Sequence, residues 1–200
     1  EGQFFQLTDK QTEFQEKIAQ TKLDIEKVYE DKDSNPMLLD SEEANNYYRF
    51  RNAEGNWERV GKRVTDRVKA WYASKFPGKV FSPEEIAFNE IKRKTGVKGH
   101  LDLEEIHSRY YHEDGTRRDV PLDRPDKFNI EDEDMYDKLE KYYTDLIEDI
   151  RSRSKGEPLI MSEVVLYDKK QNEAGTIDFL AIEPSGKAHI LDWKFMHFTK

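Results

Sequence analysis

Between Gly175 and Phe195 the chain reads GTIDFLAIEPSGKAHILDWKF, and this stretch limits the fold more than any other. Two apolar-rich runs, Thr176–Glu183 and Lys187–Phe195, flank Pro184-Ser185-Gly186, the pattern of a β-hairpin. A three-residue loop ending in glycine suits a last residue in the left-handed region. Closing the turn there pairs Glu183 with Lys187, and each later pair keeps the same index sum. Asp178 then stands opposite Asp192, and Thr176 opposite Lys194. Strand alternation turns Asp192 and Lys194 to one side and Trp193 to the other.

Directly opposed residues in such a ladder have Cβ atoms roughly 4.5–5.5 Å apart. Two carboxylates at that distance repel by about 3 kcal/mol at an effective dielectric of about 20. Their neighbours Ile177, Phe179, Leu180, Ile190 and Leu191 imply a sheet covered on both faces, where such a pair needs compensation. A divalent cation turns the repulsion into binding, because hard cations favour clustered oxygen ligands. Lys194, one pleat along, is placed to hold or polarise a nucleophilic water or a phosphate oxygen. Two acids and a lysine on one face is the chemistry of metal-assisted phosphodiester hydrolysis. The plainer alternative is an edge hairpin with solvated Asp and Lys, against which the apolar residues on both faces weigh.

The 200 residues suffice for one substantial domain, or one with an appendage. Charged residues are 38% and hydrophobic ones 36%, the latter concentrated in periodic segments, so a folded chain is expected. A net charge of −9 weighs against a protein that coats nucleic acid, though a locally basic site remains compatible with it. Without cysteine there is no disulfide, thiolate zinc site or iron–sulfur cluster in this chain. No apolar run approaches the roughly 18 residues a membrane span needs, so the expectation is an intracellular compartment and no membrane partner. The missing initiator Met, and an end just after the Asp192–Lys194 strand, suggest a piece of a longer protein.

Upstream, Thr8-Asp9-Lys10-Gln11 has the form of a capping box. Phe14, Ile18, Thr21, Ile25 and Val28 follow at helical spacing to about Tyr29, a narrow stripe suited to a neighbour or partner. Ser34-Asn35-Pro36, within Asp31–Asp40, breaks that helix. Tyr47–Phe50 and Asn52–Gly55 read as a strand and turn. Trp57–Phe76 reads as a helix with Val64, Val68 and Trp71 or Tyr72 on one face. Lys62, Arg63, Arg67 and Lys69 make it the most basic segment, either a solvated face or one that contacts phosphates.

Ser82-Pro83-Glu84-Glu85 opens a helix carrying Ile86, Phe88 and Ile91. After Lys94–His100 a second helix runs through Leu101–His107, with His100, Glu104 and His107 on one face: a metal-binding face or a structural one. Asp114–Asn129 reads as an irregular loop, a flap or a connection. Glu131–Arg153 is the clearest helix, with Met135, Leu139, Tyr142, Leu146 and Ile150 as its core stripe. Leu159–Tyr167 is then a strand and Asp168–Ala174 a polar turn into the hairpin. A turn centred near Lys170-Gln171 brings Glu163 opposite Asp178 as a third acid.

A helix followed by three strands, with an acid on the second and Asp-x-Lys on the third, resembles the PD-(D/E)XK nuclease superfamily. The specific flavour resembles the RecB-like exonuclease branch. The carrying segments are Gly96-Val97-Lys98-Gly99-His100, Gly175-Thr176-Ile177-Asp178 and Ile190-Leu191-Asp192-Trp193-Lys194, within residues 96–195. The resemblance implies an α/β (α+β) fold: a restriction-endonuclease-like core, a helix plus a mixed sheet of three or more strands, with an N-terminal helical extension. Residues 1–80 would form that extension or interaction region, and residues 81–200 the core, short of its usual C-terminal elements. It implies that His100, Asp178 and Asp192 ligate Mg²⁺ or Mn²⁺, with the Trp193 carbonyl as a backbone ligand. Lys194 would orient or activate water, Asp178, Asp192 and Lys194 forming the catalytic set. Glu104 and Glu163 are secondary candidates, and Lys62, Arg63 and Arg67 weaker ones for DNA contact. His107, His112, His189 and His197 are read as structural. DNA is the expected partner, with other protein domains or subunits through the N-terminal helix. The expectation is thus a metal-dependent deoxyribonuclease. Its rivals are a catalytically silent module for protein contact and a small helical metal site at His100, Glu104 and His107.

Overall fold

The structure is a computed structural model and describes residues 6–29, 46–78 and 80–195. The Asp31–Asp40 break and His197 lie outside them. The fold is mixed α+β. In chain order the elements are α1 (Asp9–Asp24), β1 (Ile25–Tyr29), β2 (Asn46–Arg51), β3 (Trp57–Arg59), β4 (Lys62–Arg63), α2 (Val64–Lys75), α3 (Pro83–Tyr110), α4 (Glu133–Arg153), β5 (Leu159–Asp168), β6 (Glu173–Ile182) and β7 (Ala188–Leu191). One sheet has the order β1-β2-β3; in the other, β6 pairs with β4, β5 and β7. The described residues divide into two compact units, one drawn from 6–20, 98–164 and 177–194, the second from 21–29, 46–78, 80–97, 165–176 and 195.

In the first unit the β6–β7 hairpin has the register its turn dictates. Phe179 pairs with Leu191, Leu180 with Ile190, Ala181 with His189 and Ile182 with Ala188. Gly186 closes the turn at φ +85°, and the Glu183 N–H donates to the Lys187 carbonyl at 2.9 Å. From Phe179 to Ile182 the side chains alternate along β6 and both faces are covered. Leu180 and Ile182 join Leu159, Met161 and Val164 of β5 and Ile18 of α1 in one cluster, with Phe14 against it. Phe179 turns the other way, 5.5 Å from the Trp193 ring and 6.2 Å from that of Tyr143 on α4.

The capping box at the start of α1 forms as its sequence requires. The Thr8 N–H donates to Gln11 Oε1 at 3.2 Å, and the Gln11 N–H to Thr8 Oγ1 at 3.3 Å. The same residues fasten α1 to the hairpin: the Thr8 hydroxyl donates to the Pro184 carbonyl at 2.8 Å, and the wholly buried Gln11 amide to the Ile182 and Glu157 carbonyls.

Two helical expectations in this unit need correction. The first concerns α4, which buries Tyr136, Tyr143, Ile147 and Ile150, while Met135 and Tyr142 are exposed. Tyrosine fills a core position when its hydroxyl finds a partner, as Tyr136 does on Glu105 and Tyr143 on His107. The second concerns α3, one 28-residue helix running unbroken through Gly96 and Gly99. The reciprocal cap of Ser82 and Glu85 starts it, and isolated glycines lower helix stability by about 1 kcal/mol each without ending it.

In the second unit Ile25–Tyr29, expected as the end of a helix, is a strand. Ile25, Val28 and Tyr29 favour extended structure, and all five residues of the strand pair with Asn46–Phe50. Trp57–Arg59 is likewise a strand, pairing with Arg49–Arg51, so the basic helix begins only at Val64. Gly61 lies between strand and helix where a Cβ would stand 2.7 Å from the Asn172 side chain. Ile25, Tyr48, Val60 and Ala174 form the core here, with Phe50 stacked on Tyr167 at 5.1 Å. Helix α2 buries none of its residues: Val64, Val68, Trp71 and Tyr72 do share its apolar face, and all four are exposed.

Candidate metal centre

Three side chains from three elements converge in the first unit. His100 comes from α3, Glu163 from β5 and Asp178 from β6, and one ligand atom of each lies within 4.8 Å of the others. His100 Nδ1 is 3.8 Å from Asp178 Oδ2 and 4.0 Å from Glu163 Oε1. Its Nε2 lies 3.2 Å from the Trp193 carbonyl oxygen. An Nε2–H donated to that carbonyl leaves the Nδ1 lone pair toward the two acids, the tautomer a cation requires. Asp178 is oriented in turn by the Trp193 N–H, which donates to Oδ2 at 2.8 Å. Trp193 itself is buried against Phe179, so the backbone that positions both donors is anchored.

Glu163 reaches this cluster through a distortion of its strand. Leu159, Met161 and Val164 all enter the same core cluster, a step of two residues followed by a step of three. A regular strand permits only steps of two, so the alternation of β5 is broken between Met161 and Val164. Glu163 stands in that break, at φ +52° in the left-handed region. Backbone of this kind in a non-glycine residue costs energy that the surroundings must supply. Unbroken alternation would give Glu163 the core direction of Met161.

The electrostatics suit a cation. Burial pushes the Asp178 carboxyl above its ordinary pKa; the Trp193 N–H and His100 oppose this, and the neighbouring Asp192 carboxyl adds to it. Burial acts on Asp192 in the same sense, but the Lys194 ammonium at 2.6 Å outweighs it and holds Asp192 below the usual carboxylate range. One imidazole nitrogen and two carboxylates form a donor set acceptable to Mg²⁺ or Mn²⁺.

Set against the expected ligands, the geometry reorders them. Asp178 and His100 are brought together with Glu163 as a full member. Asp192 meets Asp178 at the rim, yet it is 63% exposed and paired with Lys194, itself 76% exposed. The Trp193 carbonyl contacts His100. Glu104 is exposed and outside the cluster. His107 is buried, its Nδ1 2.6 Å from the Tyr143 hydroxyl, and burial lowers its pKa to about 4. His100, Glu104 and His107 therefore do not assemble a site. His189, 2.6 Å from Glu183, ties down the hairpin, and His112 is exposed. In the second unit, Arg63 pairs with Asp66 and Arg67 with Glu173, so neither presents an unneutralised charge as a phosphate-contacting helix would; Lys62 is exposed on β4. No family model, curated protein or solved structure matches this chain. No described helix is long and apolar enough to cross a membrane.

Proposed function

We propose that this chain is a metal-dependent deoxyribonuclease with a restriction-endonuclease-like core of the PD-(D/E)XK type. The observation that carries the reading is the convergence of His100, Glu163 and Asp178 beside the Asp192-Trp193-Lys194 segment. His100, Glu163 and Asp178 would hold Mg²⁺ or Mn²⁺, with Asp192 at the rim. When bound, a divalent cation supplies Lewis acidity and neutralises charge on the phosphodiester. Around it the chain's own groups have separate tasks. The Trp193 amide and carbonyl fix the directions of Asp178 and His100. Lys194, held at the rim by Asp192, offers an ammonium to a phosphate oxygen or to the attacking water. Phe179 and Trp193 back the site with apolar surface, which strengthens electrostatic interactions within it.

A second reading, a catalytically silent nuclease-fold module that engages a protein partner, draws on the exposed Val64, Val68, Trp71 and Tyr72 of α2. Calorimetric Mn²⁺ titration of the metal-stripped protein and of Asp178→Asn, with Mn²⁺-dependent cleavage of linear DNA as a second assay, separates the two. Binding and cleavage by wild type alone support the nuclease. Equal binding by both proteins moves the metal elsewhere, and no binding by either leaves the silent module.

A further inference from the structure

The β1–β2–β3 sheet of the second unit has an inner face that forms a core and an outer face with a different composition. Ile25, Tyr48 and Phe50 turn inward. Alternation and the observed register then place Glu26, Val28, Tyr47, Arg49, Arg51, Trp57 and Arg59 on the outer side, with Arg51 opposite Trp57 and Arg49 opposite Arg59. The side chains are interleaved rather than spread. The Arg49 and Arg51 guanidinium carbons lie 4.8 and 4.9 Å from the centroid of the Trp57 ring, and that of Arg59 lies 4.6 Å from the Tyr47 ring. Cation–π contacts of this kind occur about once per 70–80 residues in proteins, and here three share one short sheet face. Among the described residues Glu26, 2.6 Å from Arg49, is the one acid on that face, which is therefore locally basic on a chain of net charge −9. Beside it lies a cleft of roughly 190 Å³ lined by Tyr47, Arg59, Lys62, Arg63 and Asp66 among others.

We propose that this face binds single-stranded DNA, unpaired bases stacking on the Trp57 and Tyr47 rings and on the guanidinium planes while Arg51 and Arg59 meet the phosphates. Unpaired bases offer a π-face at each step, which is what an arginine–aromatic platform recognises. A duplex keeps those faces inside its own stack, and an acidic peptide would use the charges but leave the rings idle. The choice of DNA over RNA rests on the deoxyribonuclease reading; the stacking platform does not.

The test is fluorescence anisotropy of fluorescein-labelled dT20 with the full chain in EDTA, which removes the cation needed for cleavage. The expected result is binding that weakens from 50 to 200 mM salt, as release of counterions requires. Trp57→Ala and Arg51→Gln should each raise Kd roughly tenfold, and Trp57→Phe should restore most of the affinity. Asp178→Asn should bind dT20 as wild type does. The proposal is overturned if Trp57→Ala binds as tightly as wild type. It also fails if a 20-base-pair duplex, U20 RNA or a polyglutamate peptide binds more tightly than dT20. Cleavage in Mn²⁺ without dT20 binding in EDTA sinks this face and spares the nuclease. Trp57-dependent binding without any cleavage does the reverse.

Discussion

Helix α3 contributes to two polar clusters in the first unit, and they are built on opposite principles. Near Arg109 the charges balance. Arg109 donates to Glu140 at 2.8 Å and to the Leu122 carbonyl at 3.0 Å, Arg124 reaches both Glu140 and Asp137, and the Tyr110 hydroxyl donates to Glu140 at 2.9 Å. Burial acts to raise Glu140, but its hydrogen bonds from Arg124, Tyr110 and Arg109 prevail and hold it below its ordinary pKa. Two turns earlier, His100 stands 3.8 and 4.0 Å from carboxylates, one of them on a strained backbone, and Asp178 is pushed above its ordinary pKa. A cluster whose charges answer each other rigidifies the fold. One whose acids crowd together favours a cation from solution.

The largest expected effect tests that division directly. Asp178→Asn should lower Mn²⁺-dependent cleavage on the order of a thousandfold, about 4 kcal/mol of barrier. Its melting temperature should be unchanged or raised, because a crowded carboxylate is removed. A variant that unfolds instead would make Asp178 a structural acid like Glu140. Arg109→Ala should do the opposite. The pair it forms with Glu140 is only 9% and 16% exposed at its two side chains, so breaking it should cost roughly 3 kcal/mol in urea denaturation. Calorimetric Mn²⁺ affinity should survive, and its loss would show that the two clusters are not separable.

His107 sharpens the contrast with His100 on the same helix. Its ring stacks on Tyr111 at 5.5 Å, its Nδ1 lies 2.6 Å from the Tyr143 hydroxyl, and burial followed by the Arg118 charge lowers its pKa to about 4. The folded protein therefore holds His107 neutral, while the unfolded chain protonates it near pH 6.5. The stability this gives is complete above about pH 6.5 and is lost as pH falls toward about 4, up to roughly 3 kcal/mol. His107→Gln, which keeps an acceptor for Tyr143, should flatten the denaturation profile over that window. A profile as steep as that of wild type would assign the acid sensitivity to other groups.

Much of this arrangement is legible in the chain, and the illegible part has a physical pattern. The hairpin register could be read because Pro184-Ser185-Gly186 fixes the turn and apolar residues mark both strands, leaving little freedom of pairing. That register sets Asp178 beside the Asp192-Trp193-Lys194 segment, whose backbone contacts both Asp178 and His100. Ile25–Tyr29 misled because Ile25 and Val28 continue a helical stripe from Phe14, whereas the pairing with Asn46–Phe50 that decides the matter is remote in sequence. On α4 the spacing leads to Ile150 correctly but to Met135 and Tyr142 in place of Tyr136 and Tyr143, because only Glu105, Arg109 and His107, placed beside the hydroxyls of those two tyrosines, decide which face is buried. Glu163 is legible as an acid but not as a break in its strand. Its one signal is Met161 and Val164, spaced by three in a strand where core residues should be spaced by two.

The backbone at Glu163 also yields the smallest effect and the finest test of the comparison. A side chain held at φ +52° in the left-handed region costs about 1–2 kcal/mol, a cost glycine does not bear. Glycine also gains entropy in the unfolded chain, which returns part of that energy. Glu163→Gly should therefore stabilise the fold by about 0.5–1 kcal/mol in urea denaturation while weakening Mn²⁺ binding. Glu163→Gln, which keeps the Cβ and removes the charge, should weaken the metal with little change in stability. If the glycine variant is instead less stable, the left-handed backbone is comfortable where it is. Glu163 would then be held by its packing, as the residues around Arg109 are, and not by the demands of a cation.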